Sequence, residues 1–462
     1  MNDDRTPSFM MVRGVAGILV VAVIIRFVLA FVVARHMPLV HDALSYDELA
    51  REMLVRFPVD NAYYWPPGTS FTLAGGYRLF GASVAVARAI TGAAGVASVV
   101  LAWLLARQAL SSERAQHLTA LVAAIYPPAV MLTPQCYSQH FAALALLALA
   151  YFGGRALKEG RTHLYCLAGL ALGVGCIIRA SMIALVPIVA VLFLAKAWRS
   201  LRVTSPAARR RLLAGMVLAP AIALAVILPV EAHNATRGAG WQISTNTERN
   251  LFLGNNPYTH DYKTSHLGQR SLAELEPATR AYLEGFYRLP DAREQMQTET
   301  FRFMRQHPFV TLKRTFNRTT SFWGFDYLST RILGDHFGLG KKGQALLLLV
   351  EATGYAATVL LVLVALFCRS AAETVDGEWR RWLLLLVLGY QLPYCFAFSA
   401  GTYHFPVMGL LFPLAGAGGA ALAARSGRSL RALARELRSV SVPAALFVAI
   451  QVQYAYYAIL LA

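Results

Sequence analysis

One acidic residue stands in the sequence where a carboxylate could take part in chemistry. Asp42 follows the first long apolar segment and begins a stretch, residues 42–54, with the spacing of an amphipathic helix. Residues three and four apart share a helix face, and one face here carries Asp42, Tyr46, Ala50 and Met53. Other faces carry Asp47, Glu48 and Arg51, which are expected to be solvated. Helix capping would account for Asp42, because Asp is favoured at helix N-termini. The chemical alternative is a carboxylate that accepts a hydroxyl proton or holds a cation.

The elements that must position this residue are membrane-spanning helices. Of the 462 residues, 56% are hydrophobic and only 15% are charged, whereas a soluble domain carries about 25% charged residues. Apolar segments of about 20 residues recur along the chain, and each is long enough to cross a hydrocarbon layer of about 30 Å. The composition therefore predicts an all-α polytopic membrane protein.

Hydropathy predicts eleven spans, at residues 11–34, 83–106, 116–134, 138–155, 164–179, 180–195, 212–230, 343–367, 382–400, 405–424 and 442–461. They divide the chain into an N-terminal transmembrane module (1–230), a polar segment (231–342) and C-terminal transmembrane helices (343–462). A first polar loop, 35–82, lies within the N-terminal module. Amphipathic stretches such as 292–304 predict that segment 231–342 folds as a small, mostly helical domain.

The charges orient these spans. The formal net charge is +18, but the basic residues are dispersed among short loops, which excludes the contiguous basic domain of a nucleic-acid-binding protein. Segment 196–211 holds six cations and no acid, and segment 425–438 holds five arginines and one glutamate. Cytoplasmic loops are enriched in Lys and Arg, so these segments and the N-terminus are predicted to be cytoplasmic. Both long polar segments then lie outside, where Arg179 is the single Lys or Arg of the short turns.

Several short motifs follow one another in a recognisable order. They are Asp42 with Tyr46, Pro66-Pro67-Gly68, Tyr77-Arg78-Leu79-Phe80-Gly81, Arg88, Tyr126-Pro127-Pro128, Gln135 to Gln139, Gly173 to Ser181, Asn250 to Tyr258, His307-Pro308 and Gly401 to Pro406. Together they resemble the GT-C class of membrane glycosyltransferases, and most closely its PMT-2 branch (family 39), which contains protein O-mannosyltransferases and bacterial aminoarabinose transferases. Gln139 departs from the pattern, because many relatives have Glu there.

The resemblance implies a GT-C-type bundle of about eleven to thirteen transmembrane helices with a small outer-face domain. It also implies an enzyme that moves one sugar from a polyprenyl-phosphate-linked donor to an acceptor, with inversion at the anomeric carbon. The acceptor is left open among a protein, a glycolipid and a polysaccharide. The implied location is a bacterial inner membrane, where the protein contacts membrane lipids and its site faces the periplasm.

The same resemblance assigns roles to residues. Asp42 is the predicted catalytic residue, acting directly or through a divalent cation, and the metal requirement is left open. Arg179 is the first candidate for the lipid phosphate, because arginine binds phosphate in a bidentate manner; a contact with ordinary lipid headgroups is the alternative. The second candidate, His404, is expected to converge with Asp42 and Arg179 on one outer cavity. The predicted substrate-binding set also includes Tyr46, Arg88, Gln139, Asn255, Lys263 and Tyr403.

Two other function classes compete with this one. A lipid-linked sugar flippase or exporter would line the middle of the membrane with polar groups and would show related halves. The polar groups of this sequence concentrate at the outer ends of the spans, which favours an enzyme. An oligosaccharide ligase or polymerase that uses a lipid-phosphate donor needs the same carboxylate and arginine, so the sequence does not separate it from a single-sugar transferase.

Overall fold

The computed structural model describes residues 9–201, 205–424 and 430–457. Within these ranges the chain is helical and forms no strand. Seven helices in the described part are long and apolar enough to span a membrane: Gly14–Val33, Val84–Ala109, Ser138–Glu159, Ala180–Arg199, Pro206–Thr236, Lys341–Phe367 and Gly401–Ala423. The predicted all-α polytopic class is therefore confirmed.

The remaining predicted spans are shorter, broken or more polar than the sequence indicated. Residues 164–179 form the 17-residue helix Thr162–Ile178. Residues 382–400 correspond to Gly377–Phe396, which begins with a charged turn and contains Gln391. Residues 442–461 belong to the helix Leu430–Ala455, and the end of that prediction lies outside the described residues.

The predicted span 116–134 is broken at two prolines. The helix Glu113–Ile125 ends there, and a short helix, Pro127–Met131, follows. Pro127 and Pro128 have no N–H to donate to the carbonyls of Ala123 and Ala124 four residues earlier. Arg26, which is buried in the first span, supplies the missing donors: its guanidinium lies 2.8 Å from the Ala124 oxygen and 3.5 Å from the Ala123 oxygen.

The outer segment 231–342 is mostly helical. Its main helices are Thr247–Gly254, Pro277–Tyr287, Ala292–Gln306, Pro308–Phe322 and Leu328–His336. The amphipathic stretch predicted at 292–304 thus forms a helix of nearly the same bounds. Phe252, Leu253, Leu283 and Met296 form a small core of their own within the segment. The preceding helix continues to Thr236, six residues beyond the boundary that hydropathy placed at 230.

The first outer loop contains two helices that pack on each other, Asp42–Val55 and Gly68–Phe80. Tyr46, Ala50 and Met53 are buried, as the spacing predicted. The expectation that Asp47 is solvated is wrong, because the second helix covers it. The Tyr77 hydroxyl donates a hydrogen bond to the Asp47 carboxylate, and Arg51 Nε donates another at 2.8 Å.

Candidate functional site

A cavity of about 700 Å³ lies where the first outer loop, the ends of several spans and the outer segment meet. Five of the nine predicted site residues line this cavity: Asp42, Tyr46, Gln139, Arg179 and Tyr403. They come from four separate parts of the chain. The fold therefore brings the predicted carboxylate and the predicted phosphate-binding arginine to one space.

The Asp42 carboxylate is available for chemistry. Asp42 is the first residue of the helix Asp42–Val55, whose N-cap position is taken by His41, and no side chain caps the helix. Asp42 is half-buried, and none of the described residues donates a hydrogen bond to its side chain. Burial raises the pKa of Asp42, although Arg179 and His41 oppose the shift through their charge. The geometry therefore supports the chemical alternative over capping.

Tyrosines hold the Arg179 guanidinium at the cavity wall. Arg179 follows the helix Thr162–Ile178 and has extended backbone angles. Its Nη1 donates a hydrogen bond to the Tyr390 hydroxyl at 3.3 Å, and its guanidinium lies 5.6 Å from the centre of the Tyr403 ring. Tyr394 stacks on Tyr403 at 4.9 Å. Among the residues described, no carboxylate forms a salt bridge with Arg179, so most of its N–H groups remain available to an anion.

The other four predicted residues do not line the cavity. His404 is buried behind it, with Nδ1 2.8 Å from the Phe322 carbonyl and its ring stacked on Tyr355. The structure thus does not bring His404 together with Asp42 and Arg179. Asn255 is fully buried and donates 2.8 Å hydrogen bonds to the carbonyls of Leu251 and Phe396. Lys263 is half-buried in the outer segment, away from the cavity lining.

Arg88 supports the site from outside. Its guanidinium donates hydrogen bonds to the carbonyls of Pro134, at 3.1 Å, and Arg35, at 3.0 Å, and also to the carbonyl of Met37. Two of these acceptors belong to the chain that leads into the Asp42 helix. Arg88 is therefore a positioning residue in this structure, and its donors are used by the main chain.

Removal of Arg88 is expected to destabilise the fold before it affects chemistry. In an Arg88→Ala variant three main-chain carbonyls lose a donor, at a cost of about 1–3 kcal/mol for each one left buried and unpaired. We expect a lower thermal unfolding temperature in detergent, measured by intrinsic fluorescence. The matched control is Arg78→Ala, at an exposed position in the last turn of Gly68–Phe80. An unchanged unfolding temperature with weaker donor binding would instead return Arg88 to the substrate-binding set.

The cavity also contains residues that the sequence did not indicate. Asp326 is 3% exposed, and its Oδ1 accepts a 3.0 Å hydrogen bond from the Leu328 N–H. Burial raises the pKa of Asp326. Arg249 lines the cavity as well and donates to the Tyr64 hydroxyl at 3.0 Å. No motif or spacing singles these residues out, because only the packing of the outer segment brings them to the cavity.

Fold and site together define an all-α membrane protein with a carboxylate and an arginine on one cavity. Residues 65–231 match the family model described as dolichyl-phosphate-mannose-protein mannosyltransferase. This match confirms the resemblance to the PMT-2 branch of the GT-C glycosyltransferases that the motifs predicted. The matched range includes Gln139 and Arg179, whereas Asp42 precedes it.

Two solved structures of ArnT from Cupriavidus metallidurans are similar to this chain. The apo structure shows 14% identity and a TM-score of 0.38, over 87% of this chain and 76% of that one. The structure bound to undecaprenyl phosphate shows 16% identity and a TM-score of 0.38, over 90% and 78% of the two chains. No curated protein matches the chain in sequence.

Proposed function

We propose that this protein is a membrane glycosyltransferase that moves a single sugar from a polyprenyl-phosphate-linked donor to an acceptor. The observation that carries the proposal is the placement of two groups on one cavity: the Asp42 carboxylate, which accepts no hydrogen bond from the described residues, and the tyrosine-held Arg179 guanidinium. The family match over residues 65–231 supports the same class of reaction.

The proposed reaction is one displacement. An acceptor hydroxyl attacks the anomeric carbon of the donor while Asp42 takes the hydroxyl proton. The bond between that carbon and the phosphate oxygen breaks, and its electron pair leaves with the polyprenyl phosphate. Arg179 stabilises the negative charge that develops on the leaving phosphate. Because attack and departure occur on opposite sides of the carbon, the configuration inverts. In an alternative form of this proposal, Asp42 acts through a bound divalent cation.

The proposed orientation places the cavity on the periplasmic side of a bacterial inner membrane. The basic segments 196–211 and 425–438 support this orientation, since such segments stay in the cytoplasm. The cavity lies at the opposite ends of the spans, beside the outer segment. We retain the division into residues 1–230, 231–342 and 343–462, with the catalytic aspartate in the first outer loop, as part of the proposal.

The test is sugar transfer by the purified wild-type protein in nanodiscs. A panel of polyprenyl-phosphate hexoses and pentoses, each labelled in the sugar, is incubated with a cell-envelope extract as acceptor, with and without a chelator. We expect one donor to yield labelled acceptor and free polyprenyl phosphate in equal amounts. Movement of labelled donor across a vesicle bilayer without transfer would favour the flippase, and transfer of whole oligosaccharides would favour the ligase or polymerase.

A further inference from the structure

The helix Pro308–Phe322 presents its polar side to the protein and its apolar side outward. Phe309, Leu312 and Phe316 are 83%, 68% and 65% exposed. Their spacing of three and four residues places them on one face, named here the outward apolar face. On the opposite side, Arg314 and Arg318 are buried, at 4% and 0% exposure. A helix that faces water shows the reverse arrangement, so this face requires an apolar partner.

The helix Gly377–Phe396, which corresponds to the predicted span 382–400, sets the level of the outward apolar face in the bundle. Arg318 Nη1 donates a 3.0 Å hydrogen bond to the carbonyl of Phe396, the last residue of the helix Gly377–Phe396. The exposed side of that helix is an apolar row, in which Leu388, Leu392 and Phe396 are 62%, 50% and 49% exposed. The row ends where Arg318 binds. The helix Pro308–Phe322 is therefore attached to the bundle at the level where this exposed apolar row ends.

The charged residues beside the outward apolar face fit a lipid bilayer as its apolar partner. Lys313 is exposed next to Leu312, and its Nζ lies 2.7 Å from an Asp261 oxygen. Arg302 and Arg305 are exposed on the preceding helix, Ala292–Gln306. Phenylalanine and leucine on one face with cations beside them are typical of helices that lie in the membrane interface.

We infer that the helix Pro308–Phe322 lies in the outer interface of the bilayer, with Phe309, Leu312 and Phe316 inserted among lipid acyl chains. At about 1.5 Å per residue it extends about 22 Å along the surface. This interaction surface is independent of the proposed reaction, because it rests on exposure and position alone.

The inserted helix also supports a wall of the cavity. Arg314 donates to the carbonyls of Asn256, at 3.0 Å, and Thr259, at 2.5 Å. Arg318 donates to the side chain of Asn255 at 2.9 Å. The helix that precedes this loop, Thr247–Gly254, carries the cavity-lining Arg249. The side of Pro308–Phe322 opposite the outward apolar face is thus connected, through two buried arginines, to the loop that follows a cavity-lining helix.

Spin-label accessibility in nanodiscs tests this inference. Phe309→Cys, Leu312→Cys and Phe316→Cys are each labelled in the full chain, after the two partly exposed cysteines are removed by Cys166→Ala and Cys395→Ser. The matched control is Leu289→Cys, an exposed leucine in the turn before Ala292–Gln306. We expect collisions with oxygen to exceed those with a water-soluble nickel chelate at the three test positions, and the opposite at residue 289.

Either of two spin-label results would overturn the inference. Higher nickel access at all three positions would place the outward apolar face in water, and spin–spin broadening with low access to both reagents would place it against a second copy of the chain. The unmodified protein gives a check that does not depend on cysteine variants. A diazirine phosphatidylcholine photolabel in the same nanodiscs should mark the tryptic peptide 306–313, and absence of the label there would also contradict lipid insertion.

Discussion

Replacement of Asp42 by asparagine is expected to abolish sugar transfer and to leave donor binding intact. The substitution keeps the shape of the side chain and removes its capacity to accept a proton. Loss of a general base lowers the rate by about 10²- to 10⁴-fold. The measurement is the initial rate of acceptor labelling at saturating donor, together with the affinity of the variant for the same donor. Because burial raises the pKa of Asp42, its removal relieves a desolvated charge, and the variant should unfold at the wild-type temperature or above.

The pH dependence of the wild-type rate provides an independent readout. A base acts in its deprotonated form, so activity should fall as the pH drops through the pKa of Asp42. Burial raises that pKa above its ordinary value of 3.8, and the acidic limb should lie correspondingly higher than for a solvated aspartate. The matched control is Glu48→Gln, an exposed acid in the same helix, which should change neither the rate nor the acidic limb. Equal losses in both variants, or an active Asp42→Asn protein, would contradict the assignment.

Asp42 and Arg179, which the structure places on one cavity, stand out in the sequence through signals that are local to the chain. Asp42 and Tyr46 belong to one helix, and helical spacing alone puts Asp42 on the same face as the buried residues. Arg179 stands out because the distribution of basic residues along the chain leaves one cation among the short outer turns. Both signals are periodicities or counts, which an amino-acid sequence carries directly.

The rest of the site depends on contacts between distant segments. Asp47 is buried because Tyr77, from another helix, packs against it and donates a hydrogen bond to its carboxylate. The helical spacing within residues 42–54 cannot predict a partner from another helix. The predicted binding residues Arg88 and His404 turn out to bond main-chain carbonyls of other elements. A buried polar residue near a site can therefore either bind substrate or hold the main chain in place. Only its hydrogen-bond partner in the structure distinguishes the two roles.

The length of a membrane-spanning helix likewise depends on contacts that the sequence does not show. Hydropathy counts apolar residues and therefore predicted one span at 116–134, but the two prolines in it remove the donors that would continue the helix. The compensating donors come from Arg26, about a hundred residues earlier in the chain. The role of a charged residue inside a predicted span can therefore be assigned only when its hydrogen-bond partner is known.

Replacement of Arg179 by alanine is expected to weaken donor binding far more than it affects folding. Hydrogen bonds to charged groups contribute about 1.5–3 kcal/mol each, so the dissociation constant of the donor should rise about 10- to 100-fold. The measurement is equilibrium binding of a labelled polyprenyl-phosphate sugar in nanodiscs. Arg179→Lys should recover part of the affinity, because lysine keeps the charge but lacks the planar fork that contacts two phosphate oxygens.

Two further variants separate a phosphate ligand from an arginine that only contacts headgroups. Tyr390→Phe removes the 3.3 Å hydrogen bond that holds the Arg179 guanidinium and keeps the ring, so it should weaken donor binding by less than Arg179→Ala. Arg237→Ala removes a half-buried arginine whose Nη2 donates to the Val59 carbonyl at 2.9 Å, outside the cavity, and should leave donor affinity unchanged. If Arg179 only contacted ordinary lipids, all three variants would bind the donor like the wild type, and the leaving phosphate would need another cation. A large loss in Arg179→Ala, a smaller loss in Tyr390→Phe and no loss in Arg237→Ala would instead show that Tyr390 positions this guanidinium for the donor. Neither lipid contact nor a general loss of positive charge produces that pattern.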